Sequence, residues 1–478
     1  MNFNKINTFN YINNQFENGL GNEKLEVLDK YSGELLSQDQ MASDEQAEKA
    51  LKAANRAFSK LKKLSTEERR SALEKLYDLI SEKKEDFIQL IIAEAGKPRS
   101  YATAEIERSL TTLKLSFEEI TRFSGETVPV DYGAGVGKTA FTKRFPIGPI
   151  LCITPFNFPL NLLLHKVAPA LALGCPVIVK APPQTPLTAI ALAKLIDQIP
   201  LPEGSYNVLS CANEQSQKLV EDSRIKMLSF TGSAAVGWKL KSLAGKKKVV
   251  LELGGNAAVL VDRGVDLKKC AKELAKGSYL YAGQICISTQ RIYAHKKIYS
   301  DLCKYLIEEI KELPCGDPSD EKTLVGPIIN SEHAQRVEKW IDEALNAGAE
   351  PLIKAQRLSK GQNVITPTLL TNTSSDMKVV KEEVFGPIAL IEEVENFEKG
   401  IEAINNSDYG LQAGVYTDSI KNMKIAHDEI EVGAVIINSI PGFRVDSMPY
   451  GGVKDSGLGR EGARYALLDM SEPRLLVY

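Results

Sequence analysis

At 478 residues the chain is too long for one ordinary hydrophobic core, so two or three domains are expected, and 43% apolar with 25% charged residues is the balance of a folded, soluble protein. Lys and Arg number 59 against 62 Asp and Glu, a net charge of -3 that supplies no basic field for phosphates and excludes nucleic acid as a partner. Seven scattered cysteines without a CxxC pair, and four dispersed histidines, point to free thiols in a reducing compartment and to no metal site.

The opening MNFNKINTFNYINNQFENG has no apolar run behind a basic one, so no secretory signal is expected and the cytoplasm is the expected location. Ser43-Asp-Glu-Gln46 and Ser65-Thr-Glu-Glu68 have capping-box spacing. Each predicts an amphipathic helix behind it, the second running through to Gly96 with Pro98 beyond, so two helices open the fold. YGAGVGKT resembles a phosphate loop, but Tyr132 stands where that loop needs its first glycine, and triphosphate binding is set aside. The apolar region from Pro149 to Val179 is interrupted by Asn157, Asn161, His165 and Lys166 and is not a membrane span.

From Pro149 onward, short apolar runs (PILCIT, PVIVKA, YNVLS, IKMLSFTG) alternate with helix-like segments, and a second alternation runs from Leu253 to Val435 through AAVLV, RIYAHK and GAVIIN. Alternation of this kind predicts two α/β domains with parallel sheets covered on both faces. The tail SEPRLLVY is an apolar strand beyond a glycine-rich loop. Another subunit would cover its edge, the alternative being a partner strand in its own chain.

Four places carry chemistry in this pattern. Asn157, between two aromatics, could donate its amide to an oxyanion or serve ordinary loop chemistry. Gly232-Ser233, where an apolar run meets a helix start, suits a diphosphate or is a tight capped turn. Glu252, flanked by Leu251 and Leu253, is a base with raised pKa or one half of an ion pair. Cys286, in the small polar stretch AGQICIS, is packing or a nucleophile. Together they supply the roles for oxidising a carbonyl through a covalent thioester.

The set TPFNFP, FTGS, LELGGN, AGQICIS, KEEVFGP and PYGGVKDSGLGREG, in this order over essentially the whole chain, resembles the NAD(P)-dependent aldehyde dehydrogenase superfamily. The resemblance implies that Cys286 is the nucleophile, that Asn157 and the Cys286 N–H form the oxyanion hole, and that Glu252 activates water, with Lys166 and Glu461 near the proton path. For the cofactor, NADP or NAD, it implies Lys180 at the adenosine ribose and Ser233 with Gly232 at the diphosphate. Glu383 and Phe385 fall at the nicotinamide ribose, Thr154 and Phe156 beside the nicotinamide, and Leu253 completes the set. Pro183 replaces the glutamate by which NAD-selective relatives hold the ribose hydroxyls, so NADP is expected to be accepted. Glu252 favours water over coenzyme A as acyl acceptor.

Asn161 and His165, placed with Asn157 on one helical face, suggest a small hydroxylated or anionic aldehyde, and the motifs resemble the branch containing lactaldehyde and non-phosphorylating glyceraldehyde-3-phosphate dehydrogenases. Ile285 stands where the latter carry arginine, against a phosphorylated substrate. Arg108 and Arg444 are candidates to meet a substrate anion, or else are surface or interface ion pairs, and His165 could cap a helix or face a subunit. Alternatives are a semialdehyde or aromatic aldehyde, an acylating enzyme, or a non-catalytic family member. The implied fold is α/β, aldehyde dehydrogenase-like. Residues 1–125 and 145–253 would form a Rossmann-type cofactor domain, 254–440 an α/β catalytic domain, and 126–144 with 441–478 a β oligomerisation arm and C-terminal segment. The partners are a small-molecule aldehyde and further copies of the chain, as a dimer or tetramer, with no nucleic acid and no membrane.

Overall fold

The computed structural model describes residues 6–358 and 361–478. Two strand pairs, rather than helices, come first: Asn10–Ile12 turns through left-handed Asn13 and Asn14 (φ 51° and 60°) into Gln15–Glu17, and Lys24–Leu28 pairs with Leu35–Gln40. Both capping boxes then form as read, Ser43 with Gln46 opening α1 (Asp44–Leu61) and Ser65 with Glu68 opening α2 (Thr66–Glu82). The long helix expected up to Gly96 is instead two. Lys83 (φ -104°, ψ 16°) ends α2, and α3 (Lys84–Ala95) stops at left-handed Gly96 (φ 65°). An unbroken helix of that length would run about 45 Å in one direction; the break lets α3 lie against α4 (Arg99–Glu119) and α6 (Leu187–Ile196).

Among the described residues the first large sheet has eight strands. Its five central strands are parallel, in the spatial order Tyr206–Leu209, Val177–Lys180, Ile150–Ile153, Met227–Thr231, Lys248–Glu252. Numbered along the chain this is 3-2-1-4-5, so the order reverses between Ile150–Ile153 and Met227–Thr231. Ligands of open α/β sheets bind outside the carboxyl ends of the strands at such a reversal. The first hairpin adds antiparallel strands at one edge and Gly457–Leu458 adds one at the other. The second sheet has seven strands, all parallel to their neighbours except Glu350–Ile353 at one edge.

Every residue of α5 (Asn161–Leu173) is buried, because this helix lies under α2 and α4. Its polar members Asn161, His165 and Lys166 must therefore find partners inside the protein. Terminal strand Ser471–Val477 pairs antiparallel with Ala140–Pro146 of its own chain, so the alternative reading of the tail describes one of its edges. Its other edge is open, and Leu475, Leu476, Val477 and Tyr478 are exposed. No helix among the described residues is long and apolar enough to cross a membrane.

Candidate active site

Four strand ends of the first sheet deliver six of the singled-out positions to the reversal point. Ile150–Ile153 runs into Thr154 and on to Asn157; Val177–Lys180 ends in Lys180; Met227–Thr231 turns at Gly232-Ser233 into α8 (Ala234–Leu243), beyond α7 (Asn213–Glu221); and Lys248–Glu252 ends in Glu252. A cavity of about 830 Å³ opens there and reaches Cys286. Thr154, Phe156, Lys180 and Pro183 line it from the first two strands, and Gly232, Ser233 and Leu253 from the next two. Glu383 and Phe385 close it from the second sheet. All nine positions that the resemblance implied for the cofactor thus face one space.

Its chemistry fits a dinucleotide. The buried Lys180 ammonium has no hydrogen bond or ion pair among the described residues, and burial holds it below the usual lysine range. Gly237 brings α8 against the strand end, since a Cβ there would stand 2.4 Å from Leu253. The Gly255 N–H donates to Glu383 Oε1 at 2.9 Å, and a side chain on Gly254 would displace that carboxylate. Burial raises the Glu383 carboxyl to about 7.

Cys286 lies in the link between the helix Leu267–Tyr279 and the strand Arg291–His295. Tyr281, Ala282 and Gly283 are left-handed in succession (φ 55°, 54° and 69°), which reverses the chain sharply and sets the half-buried thiol at the cavity wall. Desolvation, opposed by a hydrogen bond with Tyr450 Oη at 3.2 Å and by the charge of Arg444, leaves this thiol pushed up to about 11. Asn157 Nδ2 donates to the carbonyl of Gln284, two residues before the thiol, at 2.9 Å. One amide hydrogen is thereby spent on orienting the carboxamide, and the second remains to donate. Neither oxygen of buried Glu252 has a hydrogen-bond partner. Burial, and then the charge of Glu461, raise its carboxyl well above the ordinary range. The ion-pair alternative for Glu252 does not describe it.

On the other side of the thiol, six ionisable side chains interlock. Lys166 Nζ meets Glu461 Oε1 at 2.8 Å, and Arg444 meets Glu461 Oε2 at 3.2 Å. The Arg444 guanidinium lies 3.6 Å over the ring of Tyr450, one aromatic ring away from Cys286. Asp446 accepts from Arg108 at 2.7 Å and bonds His165 Nε2 at 2.9 Å, a nitrogen that also stands 3.1 Å from Arg444. The surrounding cations hold the Asp446 carboxyl far below the usual range, while burial and then the charge of Arg444 lower His165.

Three expectations change here. Arg108 and Arg444 are not free for an anion but form ion pairs, half-buried Arg108 with Asp446, and buried Arg444, whose guanidinium would be costly to bury without a carboxylate, with Glu461. His165 neither caps a helix nor faces outward; it is buried and bonded to Asp446. Asn161 and His165 do share a face, both reaching Thr112 Oγ1 (3.0 and 3.4 Å), but Asn157 does not, since α5 begins only at Asn161. Tyr450, Asp446, Thr112 and Gln284 went unassigned. Tyr450 lies within the quoted PYGGVKDSGLGREG and Asp446 stands two residues after Arg444, so a hydroxyl and a carboxylate close to a candidate arginine are the available signal.

A nucleotide-type sheet with a thiol, an amide donor and an unpaired buried carboxyl at its mouth defines a cofactor-dependent oxidoreductase that works through a covalent adduct. The profile described as "Aldehyde dehydrogenase family" matches residues 17–476, and the chain belongs to that family, whose members are NAD(P)-dependent enzymes. It is 41% identical over 469 residues to a 3-sulfolactaldehyde dehydrogenase of Priestia aryabhattai, covering 98% of this chain and 97% of the relative. It is 39% identical over 461 residues to a lactaldehyde dehydrogenase of Methanococcus maripaludis, with 95% and 97% covered. Among solved structures, an NADP-dependent glyceraldehyde-3-phosphate dehydrogenase from Bacillus halodurans, complexed with NADP, superposes with a TM-score of 0.95 at 32% identity over 99% of each chain.

Proposed function

We propose that the protein oxidises a small hydroxylated or anionic aldehyde, of which lactaldehyde is the type, to the free carboxylic acid with NADP or NAD. The observation that carries the reading is Glu252, a buried carboxyl with no partner at the wall of the cavity that Cys286 also lines. Evolution of a stable core would not leave such a group unpaired without use for it.

The Cys286 sulfur attacks the aldehyde carbon, and the second amide hydrogen of Asn157 and the Cys286 N–H donate to the oxygen that becomes negative, each such donor being worth about 10²–10³ in rate. With NADP or NAD held by Lys180, Ser233 and Glu383, the nicotinamide would supply an acceptor for the hydride of that carbon, which would be left as an acyl thioester on Cys286. Glu252 then takes a proton from a water, the hydroxide adds to the acyl carbon, and the C–S bond breaks to return the thiolate and release the acid. Lys166 and Arg444 keep Glu461 ionised, and its negative charge makes Glu252 the more basic of the two carboxyls.

For the substrate, Arg108, Lys166 and Arg444 face two carboxylates in this cluster, Asp446 and Glu461. One positive charge is left over beside Cys286, which favours an anionic or strongly polar aldehyde. The two relatives named for lactaldehyde and sulfolactaldehyde support the same class. For the cofactor, Pro183 leaves no carboxylate to repel a 2′-phosphate beside unpartnered Lys180, and the solved relative with NADP supports its acceptance. The three main sheets support a division into residues 1–125 with 145–253, 254–440, and 126–144 with 441–478, with Gly457–Leu458 crossing from the last segment into the first sheet. The open edge and exposed apolar residues of the terminal strand support assembly into a dimer or tetramer.

The test is the initial rate of reduced-cofactor formation, without coenzyme A, on lactaldehyde, glyceraldehyde, succinic semialdehyde, glyceraldehyde-3-phosphate and benzaldehyde, with either cofactor and with Cys286→Ala as control. Fastest Cys286-dependent turnover on a small hydroxylated or anionic aldehyde supports the reading. Fastest turnover on benzaldehyde, or a requirement for coenzyme A, overturns it.

A further inference from the structure

Away from the reacting groups, one buried ion pair stands where the two catalytic loops come closest to the helical layer. Lys97, just past the end of α3, bonds Glu105 of α4, and both side chains are fully buried. Neither belongs to a large sheet, and neither lines the cavity. Burying such a pair is costly, so its surroundings should show what it holds.

Glu105 Oε1 accepts the N–H groups of Leu160 and Asn161 at 2.9 and 3.1 Å. These are the first-turn donors of α5, a helix whose own cap residue contributes no side-chain bond. The start of α5 is thereby fixed from a helix some fifty residues away, and Asn157 hangs from that start. The Lys97 ammonium lies 3.6 Å from the ring centre of Phe158, next to Asn157, and 4.9 Å from the ring centre of Tyr281. Tyr281 opens the left-handed reversal that leads to Cys286, its hydroxyl donates to the Ala95 carbonyl at 3.0 Å, and its own carbonyl accepts from the Gln284 N–H at 3.2 Å. Gln284 is the residue whose carbonyl orients Asn157.

We infer that Lys97 and Glu105 are positioning residues that set the Asn157 amide against the Cys286 thiol, the ammonium clamping the aromatic neighbour of each loop while the carboxylate anchors the helix behind Asn157. They touch neither substrate nor cofactor. Their influence on the reaction runs through Asn157, so it must vanish once Asn157 can no longer donate.

The experiment is a double-mutant cycle on the full chain, using whichever aldehyde of the panel turns over fastest, so that it does not depend on which substrate that is. Lys97→Met should lower kcat about 10- to 100-fold, the scale of a misplaced catalytic group, while the KM for cofactor stays within about twofold. In an Asn157→Ala background the same change should cost less than about threefold. An equal loss in both backgrounds, or no loss in the first, overturns the proposal. Should Lys97→Met not fold, as judged by its thermal transition, the paired variant Lys97→Met with Glu105→Gln leaves no unpaired buried charge and is carried through the same cycle with the same two readings.

Discussion

On the cofactor side of Cys286 the chain offers strand ends, glycines and a buried lysine without a counter-ion among the described residues, whereas on the far side six ionisable groups from α4, α5 and residues 444–461 are locked to one another. The first wall is generic: close backbone approach and one cation accept any dinucleotide of suitable shape. The second is committed. Its groups are paired with each other, although the buried Arg444 Nε has no hydrogen-bond partner among the described residues, and its surplus charge is what it offers outward. Glu252 stands between the two and belongs to neither, without a partner on either side.

Removing what lies between the walls has the largest effect. Glu252→Gln should lower steady-state turnover by about 10²–10⁴, while a burst of about one reduced cofactor per site survives, because thioester formation does not need the base; rapid-mixing absorbance at the reduced-cofactor band checks this. A lost burst would move Glu252 to the first half of the reaction. On the generic wall, Pro183→Glu should raise the KM for NADP about 10- to 100-fold and spare NAD, by placing a like charge near the 2′-phosphate. On the committed wall, Tyr450→Phe removes a hydrogen bond worth about 0.5–1.5 kcal/mol to the thiolate. The Cys286 pKa then rises, and alkylation by iodoacetamide at fixed neutral pH slows about three- to tenfold.

The smallest effect is on stability. The folded pKa of Glu252 is raised, so its neutral form is the favoured one in the native state. Native stability is therefore drained as pH rises from the ordinary carboxylate range toward the folded pKa. Glu252→Gln should remove that slope, and its thermal midpoint should gain on the wild type as pH increases through this window. Parallel melting curves at every pH would contradict the unpaired state of the carboxyl.

The two walls also differ in how far the residues disclose them. Gly232-Ser233, Glu252 and Lys180 sit at strand ends, and the alternation that predicts the strands also places their ends, so the generic wall follows from local pattern. The committed wall joins Arg108 to Asp446 and Lys166 to Glu461 across some three hundred residues, and no local periodicity encodes such a pairing. Arg108, Arg444 and Glu461 were singled out, but Asp446 was not, nor was any of the pairings, because a carboxylate becomes a counter-ion only once the fold brings it near. The break at Lys83 was equally silent, since no glycine or proline marks it and both halves keep helical spacing.

Gly457–Leu458 joins the cofactor sheet, Val453–Lys454 pairs with Tyr409–Gly410, and the same stretch carries Arg444, Asp446, Tyr450 and Glu461. During synthesis, Cys286, Glu252 and Asn157 emerge from the ribosome well before these residues do. A nascent chain therefore holds its nucleophile before it holds the hydroxyl that lowers the thiol's pKa or the guanidinium of Arg444, and the site is complete only when this last segment has joined both sheets.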